Sequence, residues 1–165
     1  MKQKKTMTFI FSLLFISSLL PAGAETVMIY TDKEKGEGDV EMSRGYLEDG
    51  VMETFFDAGH IVFNAYPEMA EDATQPDGFS EKFSVRAAKA GGASLLLEIF
   101  IKFDANEENK LPYSASYSLY ELKTGELLAH GEEDLPDKDD EKELGKEERL
   151  HRLGSAVASR VLEKK

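Results

Sequence analysis

Apolar and polar positions along this chain fall into blocks whose period changes, and the period points to the element. Thr26 to Tyr30 (TVMIY) is a short β-branched, apolar run that predicts a strand. Thr31 to Asp39 is charged, holds Gly36 and Gly38, and reads as a loop. Ser43 is placed to cap a helix running to about Ala58. Within it Leu47, Val51 and Phe55 recur at helical spacing with Met52 and Phe56 beside them, while Glu48, Asp49, Glu53 and Asp57 fall on the other side. Gly59 stands where a left-handed C-cap is cheapest, and Ile61 to Asn64 is then a short buried strand.

Ala65 to Gly78 carries Pro67 and Pro76 and reads as a loop, Phe79 to Ala90 has helical character, and Gly91-Gly92 stops it. Leu95 to Phe103 is the strongest strand pattern. Leu95, Leu97, Ile99, Ile101 and Phe103 make one apolar face, and Leu96, Glu98, Phe100 and Lys102 a half-apolar one. After a polar turn from Asp104 to Lys110, Tyr113 to Leu122 sets Tyr113, Ala115, Tyr117 and Leu119 against Ser114, Ser116 and Ser118 on the reverse side. Lys123 to Glu126 is a tight connection to Leu127–Gly131, giving a hairpin. Pro136 to Glu143 is a solvated charge run. A last helix, about Lys146 to Glu163, has Leu150, Leu153, Val157 and Val161 on its stripe and Gly154 where a neighbour can approach closely. The order β-α-β-α-β-β-β-α predicts one α/β domain, residues 25–165, with a mixed parallel and antiparallel sheet packed by helices.

The N-terminal block is of another kind. Lys2, Lys4 and Lys5 precede an apolar run from Met7 to Leu20, and Pro21-Ala22-Gly23-Ala24 follows. This is the build of a secretory signal peptide, residues 1–24, cleaved after Ala24. The apolar run is shorter than the ~20 residues that a spanning helix needs. The expected product is periplasmic or secreted, with no stable membrane anchor after cleavage. The chain has no cysteine, so lipidation, disulfides and thiolate metal sites are closed to it.

Formal net charge is −12, and loss of the three signal lysines makes the exported part more negative still. Such a surface repels phosphate backbones and anionic headgroups, so no nucleic-acid partner is expected. An envelope protein with a basic patch fits better. Oligomeric state is not encoded in any pattern found here.

Chemistry is sparse. His60, His130 and His151 are far apart and lack HExxH spacing. Asp104-x-Asn106-x-Glu108 imitates the start of a calcium loop, but Asn109 and Ala115 stand where that loop needs glycine and glutamate. The acids from Asp137 to Glu143 are the pattern of a solvated loop. No serine lies in a G-x-S-x-G elbow, and Gly36-x-Gly38 lacks the rest of a dinucleotide loop. The expectation is a non-enzymatic protein with no catalytic residue, no metal ligand and no cofactor.

The segments LEDGVMETFFDAGHIVFN and AAKAGGASLLLEIFIKF, with Ala58-Gly59 and Ala90-Gly91-Gly92-Ala93 as punctuation, give a resemblance. In element order the chain resembles the small exported α/β domains of the curli secretion protein CsgG, the penicillin-binding-protein activator LpoB and the N-terminal part of TolB. The resemblance implies a cell-envelope module, an accessory or regulator that acts by touching another protein. CsgG-like and LpoB-like proteins are usually lipid-anchored, and this chain has no cysteine to anchor.

One face is a candidate contact surface: Glu98, Phe100 and Lys102 beside Ser114, Ser116, Ser118 and Tyr120. The rival arrangement lays the C-terminal helix over it. The rival function is a small-molecule or metal-binding protein with a pocket between the sheet and the acidic loops.

Overall fold

A computed structural model describes residues 24–35, 40–65, 82–103, 111–136 and 145–165. The strands are β1 (Thr26–Lys35), β2 (Ile61–Asn64), β3 (Leu95–Phe103), β4 (Pro112–Glu121) and β5 (Leu127–Asp134). The helices are α1 (Val40–Asp57), α2 (Phe83–Ala90) and α3 (Lys146–Lys164). They form one α/β domain in the expected order β-α-β-α-β-β-β-α. Its five-stranded sheet is ordered β2-β1-β3-β4-β5. β1 is parallel to both β2 and β3, and β3–β4 and β4–β5 are antiparallel, so the sheet is mixed. The export signal lies outside the described residues except for Ala24.

Two central strands are apolar on both sides because both sides are covered. Val27, Met28 and Ile29 of β1 are fully buried, as are Leu96, Leu97 and Ile99 of β3. On one face Val27, Ile29, Leu97, Ile99, Ala115 and Leu119 pack under Leu47, Val51 and Phe55 of α1 and Leu153, Val157 and Val161 of α3. On the other face Met28 and Leu96 meet Ala88, Val85 and Ala87 of α2. The C-terminal helix therefore lies opposite the candidate contact face and does not cover it.

The two long helices touch almost backbone to backbone. A Cβ on Gly50 would run into the carbonyl of His151, and a Cβ on Gly154 into the carbonyl of Leu47. The close approach expected at Gly154 is thus present, with Gly50 as its counterpart. Ser155 Oγ adds a hydrogen bond to the Gly50 carbonyl at 3.3 Å.

Some boundaries differ from the sequence reading. β1 runs on through Thr31–Lys35, placed in a loop by its charges, because its backbone pairs with β3 as far as Lys35↔Lys102. α1 begins at Val40, so Ser43 sits inside the helix, fully buried, rather than at its cap. Glu48, assigned to the solvated side, is 1% exposed. Its carboxylate accepts a hydrogen bond from Asn64 of β2, so this side of α1 is buried against the sheet edge rather than solvated. Gly59 adopts the expected left-handed backbone with φ 87°.

Candidate functional site

The strand period and the register together build the open face. Lys102 pairs with Ser114, Phe100 with Ser116, Glu98 with Ser118 and Leu96 with Tyr120, so the seven candidate residues do share one side of the sheet. β5 adds His130, Glu132 and Asp134 opposite Ser118, Ser116 and Ser114, and β1 adds Tyr30 and Asp32 opposite Glu98 and Phe100. α2 closes only the end of this face near Leu96 and Glu98. Among the described residues no helix lies over Phe100, Lys102, Ser116 and Ser118, which are all half-buried.

The residues do not all serve alike. Glu98 is 3% exposed; Ser84 Oγ donates to its Oε1 at 2.6 Å, and Lys82 Nζ lies 3.6 Å from its Oε2. That carboxylate fastens α2 to the sheet and is spent internally. Tyr120 lines a cavity of about 450 Å³ beside α2, with Leu96, Glu98 and Lys123. Tyr30 sits edge-on to Phe83 with ring centroids 5.9 Å apart, and its hydroxyl donates to Asp32 Oδ2 at 3.2 Å. Burial first, and the Asp32 carboxylate second, push the Tyr30 hydroxyl above the usual phenol range.

Lys102 is the hub of the remainder. Its ammonium donates to Glu132 Oε2 at 2.7 Å and lies 3.5 Å from Glu34 Oε2. Ser114 Oγ donates to Glu132 Oε1 at 2.6 Å, and Ser116 Oγ to Glu34 Oε2 at 3.1 Å. The Glu132 hydrogen bond, ahead of opposing desolvation, holds the Lys102 ammonium above the ordinary lysine range. Among the described side chains one cation thus stands on a face with Asp32, Glu34, Glu132 and Asp134, an excess of carboxylates. Glu34 and Glu132 reach it from strands on either side of Lys102, a clustering hidden in a sequence rich in acids.

The histidines are apart. His60 Nδ1 accepts from the Glu25 backbone N–H at 3.3 Å, His151 Nε2 lies 2.9 Å from Glu53 Oε2, and His130 is exposed on β5. Among the described residues no three His, Asp or Glu gather as a metal site would need. The acidic turn from Asp104 to Glu108, the charge run from Asp137 to Glu143 and the Gly36-x-Gly38 pair lie outside the described residues. No helix among the described residues is long and apolar enough to cross a membrane.

No known family matches the chain by sequence, and no curated protein matches it. Solved structures do. The PelC dodecamer from Paraburkholderia phytofirmans is similar at 10% identity and a TM-score of 0.50, over 84% of this chain and 87% of that one. TolB from Acinetobacter baumannii is similar at 12% identity and a TM-score of 0.45. That match covers 87% of this chain, which spans only 29% of the TolB chain. The LpoB C-terminal domain from Escherichia coli is similar at 12% identity and a TM-score of 0.42, over 74% of this chain and 90% of that domain. The resemblance read from element order and glycine punctuation, to small α/β domains of the TolB and LpoB kind, is therefore present; at these identities it is a likeness of fold.

Proposed function

We propose that this chain is an exported, non-enzymatic interaction module of the cell envelope, an accessory or regulator that docks a basic patch of another protein on its open sheet face. The observation that carries this reading is the half-buried surface from Phe100 to Ser118, ringed by Asp32, Glu34, Glu132 and Asp134 and left without a helix among the described residues. An aromatic ring among small hydroxyls, with carboxylates at the margin, suits an interface whose centre excludes water and whose rim steers a cation-rich partner. The signal-like residues 1–24 support an envelope setting. Cleavage after Ala24 belongs to the same proposal.

The test is a photo-cross-linking residue placed at Ser118, with Ser159 on the exposed side of α3 as control, in the protein expressed in its native envelope. A discrete adduct from position 118 is expected, absent at position 159. It should weaken several-fold as salt rises, because exposed charges are screened over about a Debye length. Adducts from position 159 alone, or adducts indifferent to salt, overturn the reading.

A further inference from the structure

A second cavity, of about 440 Å³, opens between the edge strand β2 and helix α2, away from the Phe100–Ser118 surface. Phe63, Ala65, Phe83, Ala87 and Gly91 give it apolar walls. The Phe63 ring is seated against Gly91, where an added Cβ would come within 2.6 Å of it. Among the described lining residues one side chain is a cation: Arg86. Its Nε is buried and has no hydrogen-bond acceptor among the described residues. The other cations near α2 are differently placed: Lys82 pairs with Glu98, and Lys89 lines the neighbouring cavity.

A guanidinium N–H withdrawn from water without an acceptor is costly, and a planar carboxylate is the group that matches it best. A concave, mainly apolar site of this size with a single orienting charge is built like a small-ligand pocket. From these observations we propose that the β2–α2 cavity binds a small amphiphilic carboxylate, its hydrocarbon part against Phe63, Phe83 and Ala87 and its carboxylate on Arg86. The site shares no residue with the sheet face, so either proposal stands or fails alone.

Calorimetric titration of the purified protein with decanoate, below its micelle concentration, tests this directly. One decanoate per chain is expected. Arg86→Gln should weaken it about tenfold, the scale of one charge-assisted hydrogen bond, and Arg86→Lys should weaken it less. Ala90→Phe, at a position lining the cavity, should weaken it without touching the charge. Decanol should bind less tightly than decanoate, and decyltrimethylammonium least. The proposal is overturned if decanoate fails to bind, if Arg86→Gln and Arg86→Lys bind it as the parent does, or if the ammonium analogue binds equally. A short apolar peptide with a free C-terminus that binds where decanoate does not would also overturn it, making the cavity a peptide site.

Discussion

The two faces of the sheet are made from the same strands and are finished in opposite ways. Under α1 and α3, Val27, Ile29, Leu97, Ile99 and Leu119 lie in a dry layer, sealed by helices that meet at Gly50 and Gly154. On the reverse side α2, only eight residues long, covers Met28 and Leu96, and beyond it Lys102, Glu34, Glu132, half-buried Ser116 and fully buried Ser114 satisfy one another without a helix over them among the described residues. The first face holds the fold together by area removed from water and by contact density. The second contributes little to that and is free to be read by something else.

If that division is right, substitutions should sort by face. Leu97→Ala, in the dry layer, is expected to cost about 2–5 kcal/mol in urea unfolding, the range for emptying a buried leucine site. Gly154→Val forces α1 and α3 apart at a backbone contact and should cost about 1–3 kcal/mol. A neutral result there would mean that the helices can slide, and the dry face would not be the rigid one. Phe100→Ala on the open face should cost about 1 kcal/mol or less, since the ring is only half-buried. A loss as large as that of Leu97→Ala would show that something does cover this face.

A finer test separates buried charge from open charge. Asn64 Nδ2 donates to Glu48 Oε2 at 2.8 Å, with Arg44 on the same helix also favouring the ionised form. Burial nevertheless outweighs both and raises the Glu48 carboxyl above its ordinary value of 4.5. The folded protein therefore holds this proton more tightly than the unfolded chain, so Glu48 makes stability fall as pH rises from about 4.5 through the raised value. Glu48→Gln should remove that downward slope, read as the pH-dependent difference between the two proteins in urea unfolding. No change in slope would place the carboxylate in contact with water. The smallest expected effect is Ser118→Ala, within about 0.5 kcal/mol of the parent.

Much of the architecture could be read from periodicity. The period-two pattern of Leu95–Phe103 and the serines of β4 separated the two sides of the sheet, and the glycines after α1 and α2 marked their ends. What periodicity could not supply is which helix goes to which side, because that depends on the crossover path and not on either strand. Thr31–Lys35 looked like a loop since its strand character comes from pairing with β3 rather than from its own side chains. Glu48 looked solvated because the sequence does not show that Asn64 of β2 is brought against that side of α1. Arg86 drew no notice: one basic residue in a short helix carries no signal until its Nε is found buried without an acceptor among the described residues.

The glycine contact also bears on the order in which this protein can come into being. Gly50 meets a helix that is made about a hundred residues later, with Ser155, 105 residues further along the chain, bonded back to its carbonyl. A chain emerging N-terminus first has its sheet strands in hand well before α3, but with Leu47, Val51 and Phe55 lacking their lid. Until that last helix arrives the apolar layer stays open to water, and long-range closure of this kind is slow to form. The protein is thus held back from completing itself until nearly all of it has been delivered.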